Sequence, residues 1–169
     1  VNVVPLISVG DLAPDFALPA SDGSIVRLSD HVGQGLVLLG FFRGHWCPYC
    51  RRYLGKLQLH ADRLREQNVR VLAISPEPPT TSATLARELS LGFPILADTD
   101  GRVIDAYGVR NRFASARSLL PHPAVFLIDA QRRVRFREVN RNYKIRTSIR
   151  TIFRAIAETT GHAQSTGAA

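Results

Sequence analysis

The residues best suited to chemistry are Cys47 and Cys50, the only two cysteines in the chain, separated by Pro48 and Tyr49. Two thiols at this spacing can close one disulfide, which makes them a two-electron couple. In thiol–disulfide exchange Cys47 attacks a disulfide, a mixed disulfide forms, and Cys50 displaces the product. In peroxide reduction Cys47 attacks the O–O bond, becomes a sulfenic acid, and condenses with Cys50. Other uses of the pair are weaker. A structural disulfide across two intervening residues closes a tiny loop and restrains the unfolded chain little. A zinc centre needs about four ligands, and no second Cys-x-x-C or His pair at ligand spacing accompanies this one; His45 makes at most a third.

The flanking sequence says how the pair is held. An unalternating apolar run, Leu36 to Phe42, reads as a buried strand, and a helical pattern follows the cysteines. Strand, turn and helix in that order place Cys47 at a helix N-terminus. Unsatisfied N–H groups and the helix dipole there favour an anion. The Cys47 thiol is therefore expected below the free value of ~8.5, with Arg43, Arg51 and Arg52 pushing the same way. Pro48 fits the first turn, where its missing N–H costs nothing. Cys47 is read as the exposed nucleophile and Cys50, one turn later, as the resolving thiol.

Further along, Cys50, Leu54, Leu57, Ala61 and Leu64 form one apolar stripe of a helix that Asn68 ends. Val69–Ile74 is a second buried strand, and the crossover makes the pair parallel. Chemistry in such sheets lies beyond the carboxyl ends of the strands, which brings Ser75, Pro76 and Glu77 to the edge that carries Cys47. Before the first buried strand, Asp15–Leu18 and Ser24–Leu28 read as a hairpin turned by Ser21-Asp22-Gly23. After the second come a helix from Thr80 or Ser82 to about Leu91, a strand over 93–97, a turn at 98–101 and a short helix over 102–106. A basic loop, 110–121, is expected over the active-site edge. Ala124–Ile128 and Arg133–Val139 follow as an antiparallel pair. Arg133, Arg135 and Arg137 are placed on its wet side, opposite Val134 and Phe136. A last helix, 147–160, is stopped by Gly161.

Trp46-Cys47-Pro48-Tyr49-Cys50 resembles a thioredoxin-fold active site. The wider chain resembles the peroxiredoxin-like branch of the alkyl hydroperoxide reductase/thiol-specific antioxidant (AhpC/TSA) family. The resemblance covers about residues 10–155. It rests on Gly10–Phe16, Phe42-Arg43-Gly44, the Cys-x-x-C, Phe93–Asp98 and Pro123–Asp129. It implies an α/β thioredoxin fold: a central mixed sheet flanked by helices, with an N-terminal β-hairpin. It also implies cysteine-based redox catalysis without a bound cofactor or metal.

Three departures favour disulfide exchange over peroxide reduction. The Pro and the Thr or Ser that peroxiredoxins carry ahead of the reactive cysteine are here Gly40 and Gly44. Their Arg before the Ile-Asp strand is here Pro123, the pattern of the thioredoxin cis-proline that faces the cysteine pair. Arg43 is the substitute cation. The buried Asp that thioredoxins place six residues before the first cysteine is here Phe41, and Glu77 is its replacement by position. His45 is a candidate proton shuttle. Trp46 is expected beside Cys47 as a contact surface for protein substrates. Tyr107, Arg146 and Arg150 are left without an assigned role.

Length and composition frame this reading. The 169 residues suit one domain, divided here into an arm (1–14), a redoxin domain (15–160) and a disordered tail (161–169). The net charge of +8 is nearly all arginine and falls late in the chain. No nucleic-acid motif accompanies it, so a solvated basic face or the docking of an acidic redox partner is expected in preference to nucleic-acid binding. A non-enzymatic module binding through that face is the contrasting reading. No apolar run is long enough to cross a bilayer. The start at Val1 lacks both an initiator Met and signal-peptide features; a trimmed or processed form acting in the cytoplasm is expected. The expected partners are a disulfide-containing protein or a small hydroperoxide as substrate, and an external dithiol reductant of thioredoxin or glutathione type.

Overall fold

In the computed structural model of this protein, residues 5–115 and 118–166 are described. A five-stranded mixed sheet in the order β5-β4-β3-β6-β7 forms its centre. The strands are β3 (Leu36–Phe41), β4 (Val69–Ser75), β5 (Ile95–Ala97), β6 (Ala124–Ile128) and β7 (Val134–Val139). β3, β4 and β5 run parallel, and β6 and β7 are each antiparallel to the strand before them in the sheet. β1 (Ala17–Pro19) and β2 (Ile25–Arg27) make the expected hairpin, joined to the β5 edge through Ala20 and Ser21.

The period of two along the buried strands divides the core between two faces. Val37, Leu39 and Phe41 meet Leu72, Ile74, Phe126 and Ile128 on one side, beneath the hairpin, the N-terminal arm and α4 (Arg102–Ala106). Leu38, Val71, Ala73, Val125 and Leu127 point to the other side. There they meet α1 (Pro48–Leu59), α2 (Ala61–Glu66), α3 (Pro79–Glu88) and α5 (Ile149–Thr166). Phe41 pairs with Ile74 and Ala124, and Ala124 pairs with Val139. The ends of β3, β4 and β7 and the start of β6 therefore share one sheet edge. Cys47 and Glu77 emerge there, as expected, and so does the loop after β7.

Several expectations are corrected. The helix after Cys47 breaks at His60, whose backbone leaves the helical region and whose N–H bonds to Leu57 O at 3.1 Å. α5 passes through Gly161 to Thr166, so the helix does not stop there; residues 167–169 lie outside the described chain. A bulge in β7 overturns the expected alternation of the basic strand. Ile128 pairs with Val134 and Leu127 with Phe136, leaving Arg135 as the extra residue. Val134 and Phe136 consequently pack on opposite faces of the sheet. Arg135 is bound to Asp129 at 2.5 Å, and Arg133 Nη1 reaches Gly10 O at 3.4 Å. The basic segment 110–121 is folded on α4, not over the thiols. Arg110 holds Asp105 at 2.5 and 2.6 Å and donates to Ser118 O at 3.2 Å; residues 116–117 lie outside the described chain.

Candidate active site

The turn between β3 and α1 is closed by Cys47 N–H donating to Gly44 O at 3.2 Å. Cys47 is the N-cap of α1, with Pro48 in the first turn, and its sulfur accepts the Cys50 N–H at 3.4 Å. This is the helix-terminus placement expected from the sequence. The exposure is not: Cys47 and Cys50 are both free thiols with 0% of their surface accessible. Cys47 lies just beneath the surface and Cys50 deeper.

The loop 140–146 reaches them through its last residue. Arg146 Nη2 lies 3.0 Å from Cys50 Sγ and 3.9 Å from Cys47 Sγ. Its Nη1 donates to Tyr143 O at 2.6 Å and to Ile145 O at 3.0 Å. Tyr143 in turn sits on Arg43, whose guanidinium lies 4.7 Å from the Tyr143 ring centroid and 4.8 Å from that of Trp46. A cation between two aromatic faces is attracted by both quadrupoles. The Tyr143 edge also meets Tyr49 at 5.8 Å.

These neighbours split the two thiols electrostatically. Burial, the largest single influence on Cys47, pushes its thiol up. The hydrogen bonds from the Cys50 thiol and N–H, with the Arg146 and Arg43 guanidiniums, outweigh it and leave Cys47 below the usual range. Cys50 moves the other way. Burial and the bond its S–H donates to Cys47 raise it, against the Arg43 N–H and the Arg146 charge, which lower it. Cys47 is thus the more readily ionised of the two and Cys50 the one that holds its proton longer, the order read from the sequence.

Of the other named residues, Arg43 and Trp46 stand together at the rim, with Trp46 50% exposed. His45 and Glu77 are brought together, but not onto the sulfurs. Glu77 accepts the His45 N–H at 2.8 Å and meets its Nδ1 at 2.5 Å, so the carboxylate is occupied there and not beside Cys50. Arg51 is drawn to His45 O and Glu88, and the cations acting on Cys47 are Arg146 and Arg43. Pro123 lies at this edge, its carbonyl accepting Asn140 N–H at 2.8 Å, but its peptide bond is trans. The ordinary preference of X–Pro bonds prevails, and the expected cis-proline is corrected. Gly44 stands where peroxiredoxins carry a hydroxyl, and a side chain there would have to displace Trp46 and Glu77. A Cβ there would lie 2.5 Å from Trp46 Nε1 and 2.9 Å from Glu77 Oε1.

Sequence reasoning left Arg146 unassigned, yet its guanidinium hydrogen-bonds to both sulfurs. No local pattern marks it, 99 positions from Cys47. The topology does. Because β7 runs parallel to β3, the loop after β7 must emerge beside the strand end that carries Cys47. Tyr107 is buried on the opposite face of the sheet, and Arg150 is an exposed residue of α5.

The model of the AhpC/TSA family matches residues 9–137. The chain belongs to that family. It is 35% identical over 130 residues to the thiol-disulfide oxidoreductase ResA of Geobacillus thermodenitrificans (strain NG80-2), spanning 76% of this chain and 68% of that protein. It is 34% identical over 130 residues to the peroxiredoxin Bcp of Escherichia coli (strain K12), spanning 76% and 83%. The crystal structure of peroxidoxin BcpB from Mycobacterium tuberculosis superposes with a TM-score of 0.77 at 25% identity, over 90% of this chain and 96% of that one. The protein is a peroxiredoxin-like thiol oxidoreductase with a thioredoxin fold. Among the described residues, no helix is long and apolar enough to cross a membrane.

Proposed function

We propose that this family member works as a thiol–disulfide oxidoreductase, with Cys47 as nucleophile and Cys50 as resolving thiol. The observation that carries the reading is the opposite bias of two adjacent sulfurs: Cys47 sits at a helix N-cap and is lowered by two guanidiniums, and the deeper Cys50 is raised by burial. Cys47 thiolate attacks one sulfur of a substrate disulfide and expels a thiolate. Cys50 then attacks Cys47 Sγ, its proton going to the second leaving sulfur. The dithiol gives up two electrons and the substrate disulfide takes them. An external dithiol of thioredoxin or glutathione type restores the pair. Exposed Trp46 and Tyr143, both lying against Arg43, suit a protein substrate. The setting we propose is cytoplasmic, with an antioxidant role.

Reduction of a hydroperoxide is the second reading, favoured by Arg146 and Arg43 beside Cys47, which supply the cations that a developing oxyanion needs. Against it stands Gly44, which has no hydroxyl at the position where the peroxiredoxin pattern carries one. Insulin reduction, run beside stopped-flow oxidation by hydrogen peroxide, separates the two. Disulfide exchange is expected to be the faster reaction, with peroxide oxidation no faster than that of a free thiol. Cys50→Ser is expected to trap mixed disulfides through Cys47. If no adduct is captured, the division of roles is wrong.

A further inference from the structure

The basic face expected along β7 is broken up by the fold: Arg135 is bound to Asp129, and Arg133 turns to Gly10 O. Unpaired positive charge gathers at the thiol edge instead. Arg146 Nη2 contacts both sulfurs, and Arg43 stacks on Trp46 and Tyr143. Lys144 Nζ lies 5.8 Å from the same Tyr143 ring centroid. Arg141 stands next to Asn140, whose N–H is held by Pro123 O at the start of β6, and its charge acts on the neighbouring His122. The side chains of Arg141 and Lys144 are exposed.

The carboxylates of this edge are already engaged. Glu77 accepts from His45, Glu88 from Arg51, and Glu138 from Asn140 Nδ2 at 3.5 Å. Among the described residues, no carboxylate lies within ion-pair distance of Arg43, Arg141, Lys144 or Arg146. Arg43 and Lys144 are drawn to one ring, which brings like charges together. Their fields add over a low-dielectric surface and attract an anion to it. Cys47 has no accessible surface, so a substrate must be held at this edge until its sulfur can meet the thiol. Exposed Trp46 and Tyr143 give the same edge two aromatic surfaces for a peptide to lie on. The charge converges on a pair of reactive sulfurs, which favours a disulfide-bearing peptide over a nucleic acid as its occupant.

We infer that the edge formed by Arg43, Arg141, Lys144 and Arg146 selects disulfides carried on acidic peptide segments, whose carboxylates dock on these cations beside Cys47. Arg141 and Lys144 set specificity by meeting the flanks of the substrate and do not touch the reacting atoms. A disulfide flanked by lysines is repelled by the same side chains, so the edge discriminates by attraction and by repulsion. The selectivity rests on the disulfide-exchange reading above: the substrate disulfide takes two electrons from Cys47 and Cys50.

Paired peptides test it. Each is closed by one internal disulfide and carries either Asp and Glu or Lys beside its cysteines, the two being otherwise identical. The rate at which the reduced full chain reduces each peptide is divided by the rate of dithiothreitol on that peptide, which removes the intrinsic reactivity of the disulfide. The acidic peptide is expected to be favoured about tenfold at an ionic strength of about 0.01 M, the lower end of electrostatic steering. The preference should vanish at about 1 M, where the screening length is ~3 Å. Arg141→Glu/Lys144→Glu is expected to abolish or reverse it, and Arg141→Gln/Lys144→Gln to weaken it, both with an unchanged rate toward the uncharged hydroxyethyl disulfide. Equal normalised rates for the two peptides would overturn the selectivity and leave disulfide exchange standing, as would a preference that persists in the Glu variant. Equal rates together with retention on single-stranded DNA that the Glu variant loses would assign the edge to nucleic acid. If neither the peptides nor hydroxyethyl disulfide oxidises the pair, the disulfide-exchange reading falls and the selectivity falls with it.

Discussion

Two buried tyrosines sit on opposite faces of the same sheet and are treated differently. Tyr107 lies among Phe16, Phe41 and Phe126 with ring centroids 5.2 to 6.5 Å away, and its hydroxyl donates to Pro14 O at 2.9 Å. Tyr53 lies among the thiols and the helices, and its hydroxyl is buried without a partner. The same holds for Arg43 Nε, Arg146 Nε and Thr147 Oγ1. Burial raises both phenols above their usual range. One face packs its rings around a satisfied phenol, although Asp98 Oδ1 and Arg132 Nε near it also lack partners. The other leaves the Tyr53 hydroxyl, Arg43 Nε and Arg146 Nε unspent near two sulfurs. Native interiors leave few such atoms unpaired, so the difference between the faces lies in the two phenols and not in a general settling of polar groups.

The largest effect that would break this contrast is in the aromatic core. Phe126→Ala removes a fully buried ring in contact with Phe41 and Tyr107. Chemical denaturation should show a loss of about 3–5 kcal/mol, while the folded fraction keeps a fast-alkylating Cys47. Slowed alkylation in the folded fraction would mean that the two faces are not separable.

Next in size is Arg146→Gln. Removing one of the two cations that lower Cys47 should raise its thiol. Iodoacetamide alkylation at pH 7 should then slow through the smaller thiolate fraction, offset in part by a loop that has lost this contact. The pH profile separates the two effects, since a shifted midpoint reports charge and a changed plateau reports access. An unmoved midpoint would assign the low thiol to the helix end and Arg43 alone.

A smaller pair of substitutions compares the tyrosines directly. Tyr107→Phe strands the Pro14 carbonyl and should cost about 1–3 kcal/mol. Tyr53→Phe removes a hydroxyl that bonds to nothing and should be neutral or slightly stabilising. Equal costs would show that Tyr53 has a partner in solution and that the two phenols do not differ.

How much of this was legible in the sequence follows from where each signal resides. The buried strands, the hairpin and the N-cap of α1 are written locally, in apolar runs, in Ser21-Asp22-Gly23 and in Cys47-Pro48. The redox pair was legible for the same reason. The split of the helix at His60 was not, because the apolar stripe continues across the break and no Pro or Gly marks it. The bulge at Arg135 was hidden by a strand that alternates correctly on paper; only pairing with β6 shows the extra residue. Pro123 was misread because its isomer is set by tertiary context. Arg146 and Tyr143 meet the site from the far end of the chain, a relation that strand order expresses and residue type does not.

The smallest effect links the two sulfurs to stability. Cys47 is lowered in the folded protein, so between its folded value and the free-thiol value of ~8.5 the unfolded chain binds the extra proton. Stability of the reduced form must rise with pH across that interval, and the Cys47 contribution is lost as pH falls through the folded value. Cys50 is raised, so above the free-thiol value the folded protein binds the extra proton. Its contribution is present below that value and fades as pH climbs through the folded one. The two slopes meet, and the dithiol should be most stable near pH ~8.5. His31 and His122, both lowered by burial and a neighbouring arginine, finish titrating below this range. Tyr53 and Tyr107, both raised by burial, titrate above it. Denaturation midpoints of the reduced protein across pH 6.5 to 10, set against Cys47→Ser/Cys50→Ser, isolate the term. A maximum that survives in the double variant would show that it does not come from the sulfurs. A monotonic rise in the wild type would mean that Cys50 is not held protonated, and the two thiols would then have no basis for different roles.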